Sequence, residues 1–378
     1  MAAQFRFSIL FFFFYTIFNS FAFGSNHSVK VVVKAPFSTP NNAKIFLTGN
    51  FQGCSWRPDC VEMQKVSDNL YESTIQQVKG LKLKVTRGSW DTEAADNSGR
   101  PLKDFVMNQS KYNLKNPVVL DLKNWRDQGP LRVTGIVERF DKFYSPQLGN
   151  YRKLHVRLPQ DYYQKGNTKK YPVIYMHDGQ NCFDPKTSTF GTDWSVDEVL
   201  TEMVRKNEVR DAIVVGVFSV NRSNEYNDAS LGQLYGQFLV QSVLPFINKK
   251  YRTLAGPEDT FLMGSSYGSA ISVSLAWRYP NVFGRIAGVA FNGAFFNNNL
   301  FRLTRDLPMI PTAVYLDHGD FGGDRGYIPH TQRFLRHLNQ IGFPRDQLVF
   351  KLFAYSGHTE ADWARRVHIP LKFLLDEK

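Results

Sequence analysis

The chain has 378 residues, 43% of them hydrophobic, 15% aromatic and 21% charged, with a formal net charge of +12. This composition excludes a disordered or low-complexity protein, and the length exceeds one ordinary core and suits two domains. The positive charge is scattered, with pairs such as Lys249-Lys250 and Arg365-Arg366 rather than long runs, so it reads as a solvated basic surface and no nucleic-acid partner is expected.

The chain opens with "MAAQFRFSILFFFFYTIFNSFAFG": a basic start at Arg6, a Phe-rich apolar run, then small residues at Ala22 and Gly24. That is the layout of a signal peptide. The run is short for a membrane anchor, Asn19 and Ser20 interrupt its end, and no basic stop-transfer cluster follows. Residues 1–24 are therefore expected to be cleaved and the mature protein to be secreted or periplasmic, with no stable membrane insertion.

Residues 25–127 read as a small all-β sandwich. "HSVKVVVKAP", "AKIFLTGN", "NLYESTIQQV", "LKLKVTRGSW" and "NPVVLDL" are short alternating segments broken by Pro, Asn and Gly. In an exported chain the close pair Cys54 and Cys60 is expected to be bridged, leaving Cys182 free. No Cys/His cluster has metal-ligand spacing, so no metal or cofactor is expected, and "HGD" at His318 to Asp320 reads as a loop. "NWRDQGP", ending at Pro130, is the expected linker.

Over residues 130–378 the pattern changes. After a strand pair, "RVTGIVERF" and "RKLHVRLPQDY", apolar strands such as "YPVIYMHDG", "DAIVVGVFS" and "TAVYLDHG" alternate with amphipathic helices. This predicts an α/β domain whose mostly parallel sheet is covered on both faces, with its chemistry at the carboxyl ends of the strands. In "TFLMGSSYGSAISVSLAWRYP" a strand meets a helix through a turn flanked by Gly264 and Gly268. Gly-x-Ser-x-Gly puts Ser266 at the apex, whereas Ser265 would need glycines where Met263 and Tyr267 stand. The turn also sets Ser266 at a helix N-terminus, where the Tyr267 N–H can stabilise an oxyanion.

Such a serine needs a base. His358 in "LFAYSGHTEADW" directly follows the last strand, whereas His337 reads as a surface helix residue and His368 as a later helix residue. The acid should follow the preceding strand, where "LDHGDFGGDRGYIP" offers Asp317, Asp320 and Asp324, and spacing does not choose among them.

The blocks "YPVIYMHDGQNCFD", "GVFSVNRSNEYND", "LPFINKKYRT", "MGSSYGS" and "GHTEADWARRVHIPLKFLL" resemble the esterase family of α/β hydrolases that includes enterochelin esterases, feruloyl and acetyl-xylan esterases, and S-formylglutathione hydrolases. The resemblance spans nearly all of residues 130–378. It implies Ser266 as nucleophile, His358 as base, Asp324 as the favoured acid, and the Gln180 N–H as a second oxyanion donor. Arg222 and Glu225 match a family motif and are expected to form a buried ion pair shaping the pocket, with Arg222 as a candidate substrate contact. Cys182 is expected to be a packed thiol. "VVVKAPFSTPNNAKIFLTGNF", "SWRPDCVEM" and "LKLKVTRGSWDTEA" resemble starch-binding-type carbohydrate-binding modules, which implies sugar stacking on Trp56 and Trp90.

The expectation is an exported serine esterase acting on small or polysaccharide-linked acetyl or feruloyl esters, with no cofactor. A siderophore trilactone esterase and an acyltransferase share the same residues, and a non-catalytic sugar-binding protein would keep only the sandwich. Since every expected catalytic group follows the linker, residues 130–378 are expected to work alone.

Overall fold

The alternating segments between Ser28 and Trp125 fold as two four-stranded sheets around one core. The computed structural model describes residues 28–76, 78–107, 112–129, 133–227, 230–295, 299–308 and 312–376; the expected leader, residues 1–24, and Pro130 of the expected linker lie outside them. One sheet runs Gln64–Ser67, Leu70–Gln76, Ser28–Lys34, Val118–Asp121, and the other Val61–Glu62, Phe46–Gly49, Lys82–Thr86, Phe105–Val106. Val31, Val33, Leu47, Leu83, Val85 and Trp125 fill the space between them. The longer strands are those the alternation predicts. Gln64–Ser67 escapes it because every residue there is exposed and carries no apolar period. Cys54 and Cys60 are bonded, with their Cα atoms 5.4 Å apart, and Cys182 is free and buried.

The second part is one eight-stranded sheet. Its strands are β1 (Ile136–Ser145), β2 (Asn150–Leu158), β3 (Val173–His177), β4 (Ile213–Val217), β5 (Thr260–Ser265), β6 (Arg285–Val289), β7 (Ala313–Gly319) and β8 (Leu348–Phe353). They lie in the order β1-β2-β4-β3-β5-β6-β7-β8. β1 and β2 form an antiparallel hairpin, β2 is antiparallel to β4, and the remaining neighbours are parallel. β3, β4 and β5 are buried at every position, which requires helices on both faces. The architecture is an α/β-hydrolase fold preceded by a β-rich region. Because β3 to β8 run parallel, the turns after β3, β5, β7 and β8 gather at one edge.

Two helices depart from the smooth ones expected. "YGQFLVQSVLPFINKKY" is Ser230–Phe238 and Leu244–Lys250 joined by a π turn, Leu239–Val243. Pro245 has no N–H to return to Gln241, and the wider turn absorbs that gap. "ADWARRVHIPLKFLL" splits into Glu360–Arg366 and His368–Leu375 at Val367, since Pro370 likewise cannot bond back to Arg366. Among the described residues no helix is long and apolar enough to cross a membrane.

Candidate active site

The turn between β5 and helix Tyr267–Arg278 explains its glycines by contact. A Cβ on Gly264 would lie 2.7 Å from the carbonyl of Gly268 and 2.9 Å from the His177 ring. The strand and the helix can therefore cross only without a side chain at Gly264, while a Cβ on Gly268 would press on His177 at 3.3 Å. Ser266 takes up the bend, with φ 56° and ψ −119°. This is a strained conformation for a residue with a Cβ, held because the Ser266 N–H donates to Val289 O at 2.9 Å and its carbonyl accepts from Ser269 and Ala270. Ser265 ends β5 and is buried, with its carbonyl accepting from Arg222 at 3.0 Å.

The parallel strands bring three distant residues into one hydrogen-bonded chain. His358 Nε2 is 3.0 Å from Ser266 Oγ, and His358 Nδ1 is 2.7 Å from Asp324 Oδ1. A carboxylate only accepts, so Nδ1 carries the proton and Nε2 is left to accept from the serine hydroxyl. Asp324 is fully buried on the 3-10 turn Gly322–Tyr327, and its Oδ2 accepts from the Gly319 N–H at 3.1 Å. At Gly319 a Cβ would sit 1.7 Å from Ser356 O, so only glycine lets the loops after β7 and β8 meet here. The other two aspartates are occupied elsewhere. Asp320 accepts from the Tyr355 N–H at 2.7 Å, and Asp317 is buried against Arg366 at 3.0 Å and Tyr315 at 2.8 Å.

Gln180 lies on the 3-10 turn Gly179–Asn181 that follows β3, the strand beside β5. A Cβ on Gly268 would touch His177 and Asp178, which sets this turn against the start of the serine helix, where Tyr267 is the first residue. Asp178 anchors it. This residue is left-handed, its Oδ2 accepts from Arg222 Nε at 2.8 Å, and its Oδ1 accepts from Ser219 at 2.9 Å and Gln180 Nε2 at 3.3 Å. Arg222 thus ties the Gln180 turn to the serine elbow. The expected Arg222–Glu225 pair does not form. Glu225 instead takes both arms of the buried Arg152 guanidinium, at 2.8 Å each. A fork-to-fork pair is stronger than a helical i,i+3 contact, and left-handed Asp178 offers Arg222 its own carboxylate.

Cys182 packs below this turn, where burial pushes its thiol well above the usual range. Trp56 and Trp90 are half-buried on the β-rich region, whose core tryptophan is Trp125. Lys84 Nζ sits 5.9 Å over the Trp90 ring. His368 stacks on Phe37 of the β-rich region at 4.9 Å. His337 is bonded to Thr304 at 2.9 Å rather than standing free on the surface.

Among the described residues, Asp193, Asp197 and Glu198 bring carboxylate oxygens within 4.8 Å of one another. Burial and the neighbouring Asp197 push the Glu198 carboxyl well up, and burial pushes Asp193 up to about 7. A protonated Glu198 can donate to the Asp197 carboxylate beside it. A carboxyl raised on folding stabilises fully below its unfolded value and loses that contribution as pH climbs through the folded one. Glu198→Gln keeps the donor and removes the titration. Its melting temperature should therefore gain on the wild type from pH 5.5 to pH 8.5, by an amount corresponding to about 1–3 kcal/mol. Parallel thermal melts would rule this out if the difference between the two proteins did not change with pH.

Residues 145–295 match the Esterase family model, described as "Putative esterase". This stretch is similar to the Esterase-family core. It contains β2 to β6 and the elbow serine, and on the match and the fold the chain is a carboxylic ester hydrolase. The esterase is 21% identical to the uncharacterized protein YbbA of Bacillus subtilis (strain 168) over 222 residues, 53% of this chain and 83% of that one. Its fold is similar to a ferulic acid esterase (TM-score 0.54, 21% identity, 65% of this chain and 99% of that one). It is also similar to the enterochelin esterase of Shigella flexneri (TM-score 0.52, 13% identity, 92% of this chain and 87% of that one). The second likeness covers more of the chain than the α/β part alone could supply, so it extends into the β-rich region.

Proposed function

We propose that the chain is an exported serine esterase acting on carbohydrate-linked acetyl or feruloyl-type esters. One observation carries the reading: the Ser266–His358–Asp324 hydrogen-bonded chain on a strained elbow at the carboxyl ends of parallel strands. In the reaction, Ser266 Oγ attacks the ester carbonyl while its proton passes to His358 Nε2. The backbone N–H groups of Gln180 and Tyr267 hold the oxyanion. Collapse expels the alcohol, which takes the proton from His358 and leaves an acyl-serine. Water, deprotonated by the same nitrogen, then releases the acid and restores Ser266. Asp324 keeps the imidazole in the required tautomer and supports its positive charge.

An aromatic acyl group is supported by the ring surface beside the serine. Tyr267 stacks on Phe295 at 4.6 Å, Tyr327 meets Phe295 at 5.7 Å, and Tyr327 lies edge-on to His358 at 5.4 Å. In this reading Arg222 contacts the bound ester with its exposed edge, and Trp56 and Trp90 offer half-exposed rings to a saccharide. The test is turnover by the purified chain on acetylated and feruloylated oligosaccharides and on a siderophore trilactone, with and without a sugar acceptor. Release of acid from the sugar esters is expected. Preference for the trilactone, or acyl transfer to the acceptor in place of hydrolysis, would overturn the substrate assignment.

A further inference from the structure

The histidine loop is gripped from the β-rich region. Lys34 ends strand Ser28–Lys34, beside Asp121 of the parallel strand Val118–Asp121. Helix Glu360–Arg366 starts two residues after His358 and presents Asp362 and Arg365 one turn apart. Lys34 Nζ donates to Asp362, and Arg365 donates to both Asp362 and Asp121. Four charges of alternating sign thus cross from one part of the chain to the other. Lys34 and Asp362 are each only 5% exposed.

Asp362 passes this grip to His358. Its Oδ1 accepts from Ser356 Oγ at 3.3 Å, its Oδ2 accepts from Thr359 Oγ1 at 2.8 Å, and its N–H donates to Thr359 Oγ1 at 3.1 Å. One carboxylate therefore holds the loop on both sides of Gly357 and His358. Trp363 of the same helix lies edge-on to the imidazole at 5.0 Å. Farther back in the loop, Tyr355 is left-handed, and Lys30 of the same β-strand as Lys34 sits 5.4 Å over its ring. Burial alone would raise the Asp362 carboxyl, but Arg365 and Lys34 hold it down to about 2, so the charge persists at working pH. Without Lys34, the buried Asp362 keeps only Arg365 as a charged partner, which it shares with Asp121, and is freer to turn from the loop hydroxyls.

We propose that Lys34 is a positioning residue for ester turnover, fixing the His358 loop through Asp362 and Thr359, so that the β-rich region is a working part of the active site. This rests on the esterase reading given above. It replaces the expectation that residues 130–378 suffice, because the two charged partners are 328 residues apart in sequence.

The test compares full-length wild type, Lys34→Met and Lys34→Arg, with Lys44→Met of the exposed Lys44–Glu62 pair as control. Turnover of a soluble aryl acetate is measured per site titrated with a fluorophosphonate, and hydrogen exchange is followed in peptides spanning 354–366. Lys34→Met should lower kcat per titrated site by up to about 10²-fold, the scale on which small misplacements act, with KM unchanged. Exchange in the loop should rise, Lys34→Arg should restore both, and Lys44→Met should change neither. Unchanged kcat per site, an effect confined to KM, or a loss that Arg does not restore would overturn the proposal. Where Lys34→Met does not fold, Lys34→Gln keeps a donor without the charge and is held to the same outcomes. A wild type without ester turnover refutes the esterase reading instead, and unaltered loop exchange in the Lys34 variant then still refutes the brace.

Discussion

Ser266→Ala is expected to lower kcat by on the order of 10⁶-fold, as loss of the nucleophile does in a serine hydrolase, while the protein melts as the wild type does. The fold should survive because alanine keeps the Cβ. The elbow at φ 56° is no more strained with Ala than with Ser, and the backbone bonds to Val289, Ser269 and Ala270 need no side chain. Only the hydroxyl 3.0 Å from His358 Nε2 is lost. Ser265→Ala should keep substantial activity, since the contribution of Ser265 to the site is a carbonyl bonded to Arg222. A fluorophosphonate should mark the wild type once, on the peptide containing Ser266. His358→Ala should suppress that label, because an unassisted hydroxyl is a poor nucleophile near neutral pH. Recovery of the adduct on Ser265 would sink the assignment.

What the sequence disclosed follows from the range of each interaction. The elbow is legible because its constraint is local: Gly264 is required where strand and helix cross, Gly268 eases the packing on His177, and the two bracket one serine. His358 is legible from order alone, as the histidine just after the last parallel strand. The acid is not, because Asp317, Asp320 and Asp324 all cluster at the end of β7. What separates them is tertiary: a Gly319 N–H, a Tyr355 N–H and the Arg366 guanidinium each claim one. The family motif misleads at Arg222 and Glu225, where it leads to the expectation of a buried pair. Arg152 on β2 and Asp178 after β3 reach them from strands that the sequence does not show to be neighbours. Asp178 left one signal, since Asp before Gly tolerates the left-handed turn that it occupies. The Lys34–Asp362 contact left none, because it depends on how two separately folded patterns meet.

Asp324→Asn is expected to cost about 10⁴-fold in kcat, the scale of the tautomer error in a serine triad. The direction follows from a fixed donor. The Gly319 N–H points at Oδ2 of Asp324 from a backbone that cannot move, since Gly319 is pressed against Ser356 O. An asparagine must give its carbonyl oxygen to that N–H, which turns its NH₂ toward His358 Nδ1. Two donors cannot share that 2.7 Å contact, so the imidazole proton moves to Nε2. The histidine then presents a donor to Ser266 and cannot take its proton. The side chain is fully buried and the change conserves volume, so stability should fall far less than activity. Asp320→Asn should stay near wild-type rate, because an amide oxygen can accept from the Tyr355 N–H as the carboxylate does. Steady-state kinetics on both variants, with fluorophosphonate labelling rates alongside, decide the matter. A larger loss in Asp320→Asn than in Asp324→Asn would mean that the acid acts from the other side of the loop.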